Sequence, residues 1–423
     1  MASFSEKAYE LRLYDRTLMS FTVRSTPFAA PAVTDVLADS RARALMPPRL
    51  VMGQDGADVM SWLESRVVPK NRAFVDRLLQ QVGLTPGDTM GIIDVSLGLS
   101  LNDAYWVVPE GFRGTWAQYN LYENDFDAAL SLVAYTGYTS SQQHQVGLSS
   151  EWTTSGNYPK AWRRVGGEVR LYKSGSPIFE GTANPDLGPY SEFLCAQVAR
   201  ALGVPHVPYS LEVWEGRLAS VCPLMNDEFT SFVPFYAATG AAGFASTART
   251  MLELGDDALD PYLDMLVFDA IVLNPDRHAN NFGFLRDNAT GSYLGMAPIF
   301  DHNLALFPHD LPSDWPLWGH AGATMRPAGA YQSFDDLAAL VMLERHHEWC
   351  RGLLAFSFEN DAAHPLGESR LQELTRFVRQ RARTLLSMPS HALGDVRAVL
   401  ESELPDVETA RMPILEQRDL DAS

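Results

Sequence analysis

The chain has 423 residues, 46% hydrophobic and 20% charged, the proportions of a globular protein with ample core material and not of a disordered one. Its 33 Lys+Arg against 52 Asp+Glu give a formal charge of −19, which repels phosphate backbones and anionic bilayers. Direct nucleic-acid readers and membrane-surface proteins are therefore disfavoured.

In chain order, Met1 to Glu10 is polar and lacks the apolar run of a signal peptide. Residues 9–24 alternate like a hairpin around Asp15–Arg16, and a connector follows at Pro27–Pro31. Phe74, Val75, Leu78, Leu79 and Val82 form an apolar stripe at helical spacing, ended by Gly83. The aromatic segment Asn102–Trp106 reads as core. Asn124 is placed to cap a helix with Asp125 and Asp127 in its first turn. Residues 1–150 thus predict an accessory α/β region without obvious chemistry.

From Glu151 the texture changes. A polar, glycine-containing turn, Thr153–Lys160, precedes a strand-like run at Glu168–Lys173. A helix from Pro189 to Leu202 is closed by Gly203 and Pro205, and two strands surround Glu215–Gly216. After Phe232 the pattern is mainly helical, interrupted at 274–307, and the last twenty residues form an acidic, proline-broken tail. The predicted organisation is 1–150 accessory, 151–232 nucleotide-binding small lobe, and 233–423 helical large lobe. The longest greasy stretch, Leu263–Leu273, carries Asp264 and Asp269 and is too short to span a bilayer. Cys195, Cys222 and Cys350 stand far apart, so neither a disulfide framework nor a cysteine zinc site is expected. A cytoplasmic protein is the expectation.

The informative stretch begins where Asn274–Pro275 stops a helix and Asp276-Arg277-His278-Ala279-Asn280-Asn281 follows. Phe282–Leu285 and Tyr293–Phe300 read as paired strands ending at Asp301. Asn281 and Asp301 are equidistant from Gly291, so an antiparallel hairpin would bring them to one open end. An amide oxygen and a carboxylate are hard ligands suited to magnesium, which takes few protein ligands plus phosphate oxygens. Asp276 sits in the loop feeding that end, placed to orient an attacking hydroxyl and accept its proton. His278 reads as a brace for the loop rather than a proton carrier.

Phosphoryl transfer also needs a phosphate cradle, a lysine and a carboxylate partner. Thr153-Thr154-Ser155-Gly156-Asn157 offers backbone N–H groups and hydroxyls, with a glycine permitting close approach. Lys173 ends a strand and competes with Lys160 for the phosphates. Glu192 shares a helix face with Cys195, Ala196 and Ala199, which would point it at Lys173.

With these residues assembled, the chain resembles the HipA-like branch of the protein-kinase superfamily over roughly Glu151–Leu306. Thr153–Lys160 looks like that family's single-glycine phosphate loop, Asp276–Asn281 like its Asp-x-His-x-x-Asn catalytic loop, and Pro298-Ile299-Phe300-Asp301 like the strand delivering its metal-binding Asp. The resemblance implies an α+β, two-lobed protein-kinase-like fold with a mainly helical C-terminal lobe. It implies a serine/threonine protein kinase using ATP and Mg2+, with Asp276 as base and Asn281 and Asp301 as metal ligands. Lys173 would be the ATP-phosphate lysine and Glu192 its partner. Several family members are toxins of toxin–antitoxin pairs, so a small antitoxin-type partner is implied beside a protein substrate. Members also autophosphorylate a hydroxyl just before the loop glycine, a place Thr153 holds here, with Thr154 and Ser155 adjacent.

Asp276-Arg277-His278 also looks like the catalytic loop of phosphoinositide-type kinases, which keeps a lipid or small-molecule acceptor open. A nucleotide-binding pseudokinase acting as an interaction module is the remaining alternative. His346-His347-Glu348 invites a metal reading, but helical neighbours one apart point in different directions, and a solvated helix face is expected instead.

Overall fold

The computed structural model describes residues 5–26, 29–138, 147–179 and 186–404; the acidic tail at 405–423 lies outside them, as do Pro27 and Phe28 of the connector. Contacts divide the described chain into two units. The first holds residues up to Lys173 together with Pro223–Val233 and Leu285–Leu294. The second holds Ser174–Cys222, Pro234–Phe284 and the residues from Gly295 onward.

The first unit is built on strands β1 (Ser5–Leu13), β2 (Arg16–Thr26), β3 (Ala29–Ala38) and β4 (Tyr105–Pro109), in sheet order β3-β2-β1-β4. The hairpin read from residues 9–24 is present, pairing Leu13 with Arg16 and Tyr9 with Phe21. Alternation places Tyr9, Leu11 and Leu13 on the buried face, with Trp62 and Leu63 of the helix Gly56–Glu64 in the same core. Trp106 of β4 is buried there, and its indole N–H donates to the Tyr14 carbonyl at 2.6 Å. The helix Ala128–Thr136 is capped by Asp127, whose carboxylate accepts from the N–H groups of Ala129 and Leu130. Asn124 is not the cap; its amide donates to Ala117 and Asn120 carbonyls, one turn of chain too early to reach the helix. Strands β5 (Lys160–Val165) and β6 (Glu168–Ser174) form a hairpin over Gly166–Gly167, both at positive φ, as a tight two-residue turn requires.

In the second unit the helix Gly188–Leu202 ends at Gly203 (φ +71°), and a hairpin of β7 (Ser210–Trp214) and β8 (Arg217–Pro223) follows. Strands β9 (Thr230–Pro234), β10 (Gly283–Asp287) and β11 (Tyr293–Met296) form a sheet in order β11-β10-β9. Thr230–Val233, Leu285–Asp287 and Tyr293–Leu294 of that sheet belong to the first unit, where Arg286 donates to the Tyr105 hydroxyl at 2.6 Å, to the Gly291 carbonyl at 2.9 Å and to the Ala44 carbonyl. The rest of the second unit is mainly helical, its longer helices being Phe244–Leu254, Asp256–Val272, Phe334–Val341, Glu344–Leu353, Glu368–Leu386 and Leu393–Glu403.

His346 departs from expectation. It is fully buried, accepting the Leu343 N–H at Nδ1 (2.9 Å) and donating to Asp264 through Nε2 (2.7 Å). Only Glu348 of the triplet is exposed. No described helix is long and apolar enough to cross a membrane.

Candidate active site

The loop carrying Asp276 starts from a helix that cannot continue. Leu273 turns into the left-handed region (φ +51°), and Pro275 has no N–H to extend the helical ladder. Asn274 Oδ1 accepts the Asp276 N–H at 3.2 Å, an Asx turn that reverses the chain. The Asp276 carbonyl then accepts from the His278 N–H (2.8 Å) and from the Asn281 side-chain amide (2.9 Å). That second bond occupies the Asn281 amide nitrogen and leaves Oδ1 as the acceptor. His278 is exposed, and its Nδ1 faces the Asn280 N–H at 3.3 Å.

Arg277 organises the loop, although sequence reasoning passed over it. Its buried guanidinium pairs with Asp269 through Nε (2.8 Å) and Nη2 (3.0 Å). Its Nη1 donates to both the Asn281 carbonyl and the Phe300 carbonyl, each at 2.7 Å. Nη2 also contacts His302 Nε2 at 2.7 Å, and since arginine only donates, His302 accepts there. Burial raises the Asp269 carboxyl, with Arg277 opposing it; burial works against the Arg277 charge, but Asp269, with Asp301 and Tyr209, outweighs it and holds the guanidinium charged. The sequence signal was Asp269 itself, an acid inside an apolar helix face that needs a buried cation.

Asp301 arrives by a different route from the one expected. Strand β11 stops at Met296, because Pro298 offers no N–H to the ladder. After Ala297 has paired with the Gly283 carbonyl (2.9 Å), the chain re-pairs elsewhere. Ile299 donates to the Pro205 carbonyl (2.9 Å) and accepts from Val207 (3.0 Å). Asp301 then takes φ +57°, and its N–H donates to the Tyr209 hydroxyl at 3.3 Å. The hairpin therefore does not itself carry Asn281 and Asp301 to one end. Arg277 does so, by holding Asn281 and the residue before Asp301 on one nitrogen.

On the helix Gly188–Leu202, Glu192 is buried on a face with Cys195, Ala196 and Ala199 and accepts from the Ser220 hydroxyl. Burial, with Asp269 and Glu192 nearby, pushes the Cys195 thiol well above its usual range, so it is inert packing rather than a nucleophile. Beside the Asp276–Asn281 loop lies a cavity of about 260 Å³, lined by Thr247, Tyr262, Met265, Asp269, Arg277 and His278 among others.

In the first unit, residues 150–152 form a single 3₁₀ turn, and its Ser150 carbonyl accepts the N–H groups of Thr153 and Thr154. The Thr153 hydroxyl donates to the Leu99 carbonyl at 2.7 Å and the Thr154 hydroxyl to Ser150 at 2.8 Å, whereas Ser155, Gly156 and Asn157 are exposed. Gly156 sits at φ +90°, which disfavours any other residue. Lys160 follows, directly opposite Lys173 in the β5–β6 register, and both lysines are more than nine-tenths buried. The Lys173 ammonium lies 5.7 Å from the centre of the Tyr158 ring.

The residues present fit a magnesium ion by donor chemistry. Asn281 Oδ1 and the Asp301 carboxylate are hard oxygens, and no cluster of three or more His, Cys, Asp or Glu arranged for a metal exists among the described residues. A two-ligand set leaves the remaining positions to phosphate and water, as magnesium prefers.

No protein-family model matches the chain, and no curated protein matches its sequence. Among solved structures, the chain is similar to one in the Shewanella oneidensis MR-1 toxin–antitoxin system of HipA, HipB and operator DNA. The TM-score is 0.53 at 14% identity, over 93% of this chain and all of that one (100%). The Helicobacter pylori proinflammatory kinase CtkA matches at TM-score 0.41 and 16% identity, over 59% of this chain and 93% of that one. The Shewanella likeness shows the fold alone: a HipA-like arrangement of antiparallel sheets and helices.

Proposed function

We propose that this chain is a kinase that uses ATP and magnesium to transfer the γ-phosphoryl group to a Ser/Thr hydroxyl of a protein. The observation that carries the reading is the single Arg277 nitrogen bonded to both the Asn281 and Phe300 carbonyls. It ties the loop bearing Asp276 to the residue preceding Asp301. Asp276 would orient the acceptor hydroxyl and take its proton at the carboxylate as the oxygen bonds to phosphorus and ADP leaves. Asn281 Oδ1 and the Asp301 carboxylate would hold magnesium, which when bound neutralises charge on the phosphate oxygens.

In this reading the backbone N–H groups of Ser155–Asn157 in the Thr153–Asn157 loop cradle phosphates, Lys173 contributes a cation with Lys160 opposite, and Glu192 is the buried carboxylate of the set. Residues 1–150 are the accessory region, 151–232 the nucleotide-holding segment and 233–423 the catalytic segment. His278 braces its loop. Autophosphorylation at Thr153 would require its hydroxyl to leave the Leu99 carbonyl. The presence of HipB in the Shewanella complex supports a small antitoxin-type partner in the cytoplasm. Direct DNA binding is not proposed, because the charge of −19 opposes it.

A small-molecule acceptor is the second reading, favoured by the cavity beside His278. The test is ADP release with Mg-ATP in the presence of protein or small-molecule acceptors. Turnover on protein Ser/Thr that Asp276→Ala abolishes supports the proposal; turnover on small acceptors alone selects the second reading.

A further inference from the structure

A buried ion pair joins the N-terminal region to the glycine loop of the first unit. Arg72 and Glu151 are 79 positions apart, and neither side chain has solvent-exposed surface. The Arg72 guanidinium pairs with the Glu151 carboxylate through Nη2, which also donates to the Lys160 carbonyl at 2.8 Å. Nη1 donates to the Glu151 carbonyl at 2.7 Å and reaches the Thr154 carbonyl at 3.5 Å. The next residue, Ala73, donates its N–H to the Asn157 carbonyl at 3.0 Å. Glu151 completes the arrangement by accepting the Trp162 N–H at 2.9 Å. Two consecutive residues thus grip the loop at its start, middle and end.

Such a pair is not explained by stability, since a buried ion pair can usually be replaced by apolar residues at no loss. Its geometry is specific instead. The planar fork of arginine reaches several carbonyls at once, which lysine cannot do. Every carbonyl engaged by Arg72 and Ala73 turns one side of the loop backbone inward, while Ser155, Gly156 and Asn157 stay exposed.

We infer that Arg72 and Glu151 are positioning residues that hold residues 151–162 in the shape that presents the backbone N–H groups of Ser155–Asn157 to a polyphosphate. The inference rests on the kinase reading for the identity of the ligand, but the grip on the loop does not. The N-terminal region would then be part of the nucleotide site's support and not merely an appended module.

The test uses the full chain with Arg72→Lys, and with Arg72→Met/Glu151→Leu so that no buried charge is left alone. Amide hydrogen exchange without nucleotide is followed at 153–160 and in β1, alongside ATP affinity and steady-state kinetics. The inference expects loop exchange to rise about tenfold while β1 is unchanged, which is the signature of local opening. It expects ATP affinity to fall about tenfold, with kcat at saturating ATP within about twofold of the parent. Unchanged loop exchange and ATP affinity in both variants would overturn it, as would equal loosening of the loop and β1, which marks a purely structural pair. If the parent chain binds no ATP but the variants still loosen the loop, the kinase reading and the polyphosphate role fall while the grip itself is upheld.

Discussion

Lys160 and Lys173 occupy directly opposed positions of the β5–β6 ladder, so the two lysines proposed for the phosphates are neighbours on one face of one hairpin. Opposed residues have Cβ atoms about 4.5–5.5 Å apart, and like charges so placed repel unless counter-charges or an anion sit near them. The choice between them therefore becomes a question of share. Lys173→Met and Lys160→Met should each weaken ATP binding, by about tenfold or more for Lys173, equivalent to ~1.4 kcal/mol. Titration of nucleotide binding checks this, and parent-like affinity in both variants would contradict a phosphate role for the pair.

Arg277 should separate stability from turnover. Arg277→Met leaves Asp269 buried without its cation, a loss of about 3–5 kcal/mol by precedent for broken buried pairs. The double variant Arg277→Met/Asp269→Leu removes both charges and should regain most of that stability in denaturant unfolding. It should still lose about a hundredfold in kcat, because nothing then holds Asn281 and Phe300 together. Recovery of turnover with stability would show that Arg277 is packing only.

Asp301 sits in the left-handed region, which asparagine tolerates at least as well as aspartate. Asp301→Asn should therefore change unfolding free energy by no more than about 1 kcal/mol while abolishing magnesium-dependent turnover. Tyr209→Phe, which removes the hydroxyl accepting the Asp301 N–H, should lower turnover without removing the metal requirement.

Burial holds the His346 imidazole below its ordinary value of 6.5, with Asp264 opposing only in part. Protonation would also place a second hydrogen at Nδ1, where the Leu343 N–H is accepted. Because the unfolded chain then binds the proton more readily than the folded one, this contribution to stability is complete above pH ~6.5 and is lost as pH falls below it. His346→Gln should flatten the dependence of unfolding midpoint on pH in that range; an unaltered slope would exclude His346 as its source.

The local features of this fold were legible in sequence because each is encoded within a few residues. The β1–β2 hairpin alternates, the helix Gly188–Leu202 is bounded by Pro189 and Gly203, and Asn274–Pro275 marks the break before Asp276. What escaped depends on partners distant in sequence. Arg72 meets Glu151 across 79 positions, Arg286 meets Tyr105 across 181, and Arg277 meets Phe300 across 23. Besides any carboxylate partner, each of these arginines serves backbone carbonyls or a tyrosine hydroxyl, groups that leave no pattern in a sequence. His346 escaped for the same reason: its partner Asp264 lies on another helix, so a polar triplet read as solvent-facing conceals a core residue. The strand expected to run to Phe300 ends at Met296 because Pro298, itself a mark in the sequence, interrupts it.

The most direct test of the central claim is the intact mass of the purified chain, with and without a protein acceptor, after incubation with Mg-ATP, compared with Asp276→Ala. The account predicts phosphoryl transfer to a Ser or Thr, on the chain or the acceptor, that requires magnesium and is absent in the variant. No transfer by a folded parent chain, or equal transfer by Asp276→Ala, would contradict it.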